Sequence, residues 1–159
     1  LMEKLPKPVI AAVHGHCYTG ALEVALAADF IVAADTARFG DTHAKWALTP
    51  VWGMSQWLPR RVGIATAKQL MFTADMIDAN EAVRIGLAEY VVPLDKFDAE
   101  IERLVARIIA KSPFSHAANK QLLEATDMRP MDAGLQWEVM ESAGIGPDMA
   151  ERIAAFTKK

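Results

Sequence analysis

Two regimes of apolar and polar positions follow one another along these 159 residues. Up to Val92, short apolar runs are separated by segments rich in Gly, Pro, Asp and Thr. Val9–Val13 and Phe30–Ala34 are unbroken apolar runs, the pattern of strands buried on both faces. Between them, 14–20 is expected as a loop, and Gly20–Ala28 reads Gly-Ala-Leu-Glu-Val-Ala-Leu-Ala-Ala. Good helix formers, apolar on nearly every face, predict a buried helix there. Arg38-Phe39-Gly40 predicts a short extended piece, and Met54–Val62 and Ala65–Phe72 predict helices. Asp78–Ile85 predicts another helix, with Gly86 placed to end it, and Tyr90–Val92 a last strand before Pro93. Beyond Pro93 the period becomes helical: Phe97, Ile101, Leu104, Val105, Ile108 and Ile109 share one face of a helix reaching Lys111. Ser112-Pro113 stops it and starts the next, Pro113 to Ala125. Further helices are expected near Met131–Ser142 and Pro147–Phe156. The pattern therefore predicts an α/β half over 1–95 and an all-helical region over 96–159, able to cover an open edge or build an oligomer interface.

Glu23 is the only charge in the apolar helix. A carboxylate one turn into such a helix is costly to desolvate, which makes it a candidate acid/base group. The alternative is a structural glutamate bonded to a buried backbone group or an arginine. Gly20 favours chemistry: strand, glycine-containing loop and helix N-terminus together aim free N–H groups at one point. A glycine there lets a ligand approach the backbone and offers a donor to a developing oxyanion. A nucleotide phosphate loop is disfavoured, because neither G-x-G-x-x-G nor G-x-x-x-x-G-K-[ST] occurs.

Composition narrows the classes further. A net charge of −3 without a basic stripe gives no reason to expect nucleic acid. Arg60-Arg61 and Lys158-Lys159 are pairs expected to face solvent. A single cysteine excludes an internal disulfide and suits a reducing compartment, so a cytoplasmic location is the default. The longest apolar stretch, 21–34, contains Glu23 and Asp29 and does not suit a membrane span. The chain begins with Leu1, and 1–5 reads as a helix end, which suggests a fragment of a longer protein. His14-x-His16 with His43 is a weak metal pattern, and Cys17 lacks a paired base that would mark it as a nucleophile.

Lys7-Pro8-Val9-Ile10-Ala11-Ala12-Val13-x-Gly15, followed by Gly20-Ala21-x-Glu23-Val24-Ala25-Leu26-Ala27-x-Asp29, resembles the crotonase superfamily of enoyl-CoA hydratases and isomerases. The resemblance continues through Ala37-Arg38-Phe39-Gly40, Leu48-x-Pro50-x-x-Gly53, Leu58-Pro59-Arg60-x-Val62-Gly63, Ala79-x-Glu81-Ala82-x-x-Ile85-Gly86-Leu87 and Val91-Val92-Pro93. It implies an α/β fold: the C-terminal part of a ββα spiral core, then a helical region that builds trimers or hexamers. It implies acyl-CoA thioester substrates, no cofactor beyond that CoA, and no metal. Gly20 matches one of two backbone donors that polarise the thioester carbonyl; the other belongs to an alanine- and glycine-containing loop absent from this sequence. Glu23 matches the first of two catalytic glutamates of the hydratases.

The second glutamate falls where this chain has His43, after Phe39-Gly40-Asp41-Thr42. Three readings follow. His43 does acid/base work itself; Asp41, on the same face of an extended segment, substitutes; or Glu23 acts alone. Thr19 stands where many relatives have a glycine, and it restricts the backbone. Trp46, Pro50 and Trp52 fall where the family lines its acyl pocket. Large aromatics there favour a short or flat acyl group, though at least one is expected to pack in the core. The function implied is hydration of a 2-enoyl-CoA. The alternatives are isomerisation, hydrolysis or decarboxylation with one carboxylate, or a thioester-binding oligomer without chemistry.

Overall fold

The computed structural model describes residues 2–126 and 129–157, so Leu1 and the Lys158-Lys159 pair lie outside the described residues. Contacts divide the chain into two compact units, one of 9–104 with Met2, the other of 3–8 with the residues from Val105 onward.

The first unit holds six strands: β1 (Ile10–Val13), β2 (His16–Tyr18), β3 (Phe30–Ala34), β4 (Arg38–Gly40), β5 (Ile77–Asp78) and β6 (Tyr90–Val92). Its helices are α1 (Gly20–Leu26), α2 (Met54–Val62), α3 (Ile64–Thr73), α4 (Ala79–Arg84) and the first part of α5 (Phe97–Ile109). One sheet runs β1-β3-β6, all parallel; the other runs β2-β4-β5, with β4 and β5 antiparallel. Successive strand pairs feed opposite sheets: β1 and β3 go to the first, β2 and β4 to the second, and α1 and α2 follow. That is a ββα spiral, in which strands of equal rank stack side by side.

Strand β3 explains why its run is continuously apolar. Ile31 and Ala33 enter a core with Leu22, Leu26, Phe39, Met54, Leu58 and Leu87. The alternate residues Val32 and Ala34 enter a second core with Val92 and Phe97, against which Ile101 and Leu104 of α5 pack. Asp78 caps α4 by accepting from Glu81 N at 2.8 Å. Gly86 follows that helix at φ 80°, a conformation that favours glycine.

Two short strands escaped the expected pattern. His16–Tyr18 lies inside the expected 14–20 loop and pairs in parallel with β4; Ile77–Asp78 pairs with β4 from the other side. Each is two or three residues long, too short for alternation to register. Glu3 and Lys4 lie in a turn, not the expected helix end.

The second unit contains the end of α5, α6 (Pro113–Glu124), α7 (Met131–Glu141) and α8 (Met149–Thr157). Asp148 ties it together, accepting from Ser112 Oγ at 2.8 Å and from Arg152 Nε at 2.5 Å. These two donors hold its carboxyl below the usual range. Met131, Val139, Met140 and Phe156 are each more than three-quarters exposed. No described helix is long and apolar enough to cross a membrane.

Candidate active site

The unexpected strand β2 determines what becomes neighbours. Its register, Tyr18 opposite Gly40, lays the segments that leave β2 and β4 side by side. Thr19 N donates to Gly40 O at 3.0 Å, and the Thr19 and Thr42 hydroxyls are hydrogen-bonded to each other. Thr19 adopts φ 52°, ψ −113°, a rare conformation for a β-branched residue. Such a backbone persists only where several bonds over-determine it. Here its carbonyl also accepts from Glu23 N at 2.9 Å. This turn starts α1 at Gly20.

Glu23 lies one turn into α1 and is 2% exposed. Its Oε1 accepts two backbone N–H groups, from Trp52 at 2.8 Å and Met54 at 3.2 Å. Gly53 stands between them at φ 116°. The structural role weighed for Glu23 is thus present at one oxygen, while Oε2 stands 3.9 Å from His43 Nε2.

His43 is also buried. Its Nδ1 lies 2.5 Å from Asp41 Oδ1, and its backbone N donates to the same oxygen at 3.1 Å. A carboxylate only accepts, so Nδ1 carries a hydrogen toward Asp41. In the neutral ring Nε2 then presents a lone pair toward Glu23. The extended geometry expected for 41–43 does not occur. The strand ends at Gly40, His43 is helical (φ −54°, ψ −48°), and a short 3₁₀ turn follows over Ala44–Trp46. Asp41 therefore turns onto its own neighbour.

Trp52 lies over the start of α1: a Cβ on Gly20 would come within 3.0 Å of Trp52 Cζ3. Trp46 N donates to His43 O at 3.0 Å, and Pro50 is half-buried. The Trp46 and Trp52 side chains are 64% and 65% exposed, so the expected core packing of at least one is not found. Both flank a turn whose backbone, rather than side chains, reaches the interior through Glu23.

His14 and His16 are exposed whereas His43 is buried. Among the described residues, no three His, Cys, Asp or Glu gather as a metal-binding group. Cys17 is 4% exposed, and burial pushes its thiol from the ordinary 9.0 up to about 11. The folded state therefore holds this proton more tightly than the unfolded chain. Stability is full below pH 9.0 and is lost as pH rises through about 11, a loss of about 2–3 kcal/mol. Urea denaturation at pH 8 and pH 11 should show this decline, and Cys17→Ala should flatten it.

The Trp52 and Met54 amides were the site's hidden part. Gly53 before a helical run was their only trace in the sequence.

An enoyl-CoA hydratase/isomerase sequence profile matches residues 1–156. The crotonyl-CoA hydratase of Syntrophomonas wolfei is 36% identical over 162 residues, covering 100% of this chain and 62% of that protein. The crystal structure of enoyl-CoA hydratase from Bacillus anthracis superposes with a TM-score of 0.94 at 34% identity, over 99% of this chain and 62% of that one. A structure from Thermobifida fusca YX in complex with CoA gives a TM-score of 0.85 at 29% identity, over 99% of this chain and 59% of that one. The chain thus spans about three-fifths of the length of these relatives. The profile match and the shared fold lead to one conclusion: the chain belongs to the enoyl-CoA hydratase/isomerase family.

Proposed function

We propose that the protein hydrates a 2-enoyl-CoA thioester, with Glu23 and His43 as its acid/base pair. The observation that carries this reading is the 3.9 Å gap between Glu23 Oε2 and His43 Nε2, one helical turn from the Gly20 amide. A water making two hydrogen bonds of about 2.8 Å spans such a gap with an angle of about 90° at its oxygen. Glu23 Oε1 is occupied by two amides, so the reactive lone pairs are those of Oε2. Glu23 takes a proton from the water as its oxygen bonds the β-carbon. The π pair moves toward the thioester carbonyl, whose oxygen gathers charge against the Gly20 N–H. The α-carbon then takes a proton from His43. A second oxyanion donor comes from outside these 159 residues in this reading.

The name of the Syntrophomonas wolfei relative and the CoA complex from Thermobifida fusca YX support a short acyl-CoA substrate. Trp52 beside Gly20 sets the acyl length. Trp52→Ala should raise kcat/KM for an eight-carbon enoyl-CoA about tenfold or more relative to crotonyl-CoA, since even one methylene in an apolar pocket is worth about tenfold. Equal changes for both chain lengths would remove Trp52 from specificity.

The test is the ultraviolet absorbance of crotonyl-CoA with the full-length protein; a folded protein that leaves it unchanged refutes simple hydration. A second reading rests on Asp41 being bonded to His43, which leaves Glu23 as the carboxylate facing the gap. On that reading the protein isomerises, hydrolyses or decarboxylates a different acyl-CoA. The assembly proposed is a trimer or pair of trimers built by the helical region, and light scattering of the full-length protein tests it.

A further inference from the structure

We propose that Asp41 is a positioning residue that makes His43 the proton donor to the α-carbon, so that one proton is shared between His43 and Glu23 and returned after each turnover. The proposal rests on the hydratase reading and adds to it a residue and a proton route.

Three observations support it. First, Asp41 Oδ1 meets both Nδ1 of the ring and the backbone N of the same residue, at 2.5 and 3.1 Å, which fixes ring orientation and tautomer together. Second, Asp41 is 1% exposed and its Oδ2 has no hydrogen-bond partner among the described residues. A turn that needed only the bond to His43 N would be served by asparagine or serine without burying a charge. A buried carboxylate with an orphaned oxygen is otherwise a penalty, and the group that offsets it is an imidazolium at His43. Third, Nε2 faces the one Glu23 oxygen that the Trp52 and Met54 amides leave unbonded.

The protons then balance. Before turnover His43 carries two ring protons and Glu23 none. Water adds to the β-carbon while Glu23 Oε2 takes one water proton. The α-carbon takes the Nε2 proton of His43. Product leaves the pair with Glu23 protonated and His43 neutral. A proton passing from Oε2 to Nε2 across the 3.9 Å gap restores the start. Asp41 touches neither substrate nor water; it acts through the imidazole by holding its ring orientation and its Nδ1 proton.

The experiment is a double-mutant cycle on the full-length protein with crotonyl-CoA: Asp41→Asn, His43→Ala and the pair. Asp41→Asn should lower kcat about 100-fold with KM changed less than about threefold. In the His43→Ala background it should lower kcat less than about twofold, since the residue it acts through is gone. An equal loss in both backgrounds, or none in either, overturns the proposal. Nitrogen-15 shifts of the His43 ring in the unsubstituted protein give a readout independent of the folding of any variant. Both ring nitrogens protonated in the resting protein at the assay pH, with Nδ1 keeping its proton once the ring is made neutral, support the proposal; a neutral ring at the assay pH, or the reverse tautomer, overturns it. Unsubstituted protein that is folded but inert on crotonyl-CoA would instead defeat the hydratase reading, leaving the ring shifts to judge Asp41.

Discussion

Glu23→Gln should lower kcat for crotonyl-CoA hydration about 1,000-fold while the protein stays folded. The reason lies in the two oxygens of one side chain. A glutamine can place its carbonyl oxygen where Oε1 accepts from Trp52 N and Met54 N, so the structural bonds survive. Its amide nitrogen then replaces Oε2 opposite His43 and cannot take a proton from water. Removing a positioned general base is worth about 100- to 10,000-fold. Steady-state absorbance assays beside a thermal melt decide the matter. Full activity in the folded variant would remove Glu23 from the chemistry and leave it a structural tie.

Gly53→Ala should destabilise the protein by about 2–4 kcal/mol and depress activity together with it. Gly53 has φ 116°, and a Cβ there would stand 2.7 Å from Trp57 Cδ1 and 2.8 Å from its Nε1. A strained backbone and an overpacked ring each cost about 1–3 kcal/mol. The adjoining residues supply both amides that grip Glu23, so relief of the clash by shifting the turn moves that carboxylate. Urea denaturation with parallel kinetics tests this. A stable variant with depressed activity, or a destabilised one with full activity, would show that fold and cradle are separable.

The division of the chain into strands and helices was readable wherever a run exceeded about five residues, because burial imposes a period on such runs. Phe30–Ala34 and Met54–Val62 fall within their expected bounds. β2 was not readable: His16-Cys17-Tyr18 has one buried residue and becomes a strand only because Arg38–Gly40 is beside it. Glu23 announced itself as a charge among apolar neighbours, and His43 as a departure from a family pattern. The Asp41 contact with His43 is local, yet the sequence suggested an extended segment there, and only a turn makes that contact. The grip of 52–54 on Glu23 is a backbone interaction across 29 residues or more, and main-chain amides leave no signature in a list of side chains.

The Thr19–Thr42 hydroxyl pair has a consequence in time as well as in space. Gly20 directly follows one threonine and His43 the other, and Thr19 N is bonded to Gly40 O as well. Thermal displacements of the two segments are therefore correlated on the nanosecond scale of loop motion. A fluctuation that moves the Gly20 amide moves the imidazole with it, and the span between them varies less than either position does. Segment 52–54 is coupled to this pair through Glu23 Oε1, so the span from Glu23 Oε2 to His43 Nε2 follows its motion as well.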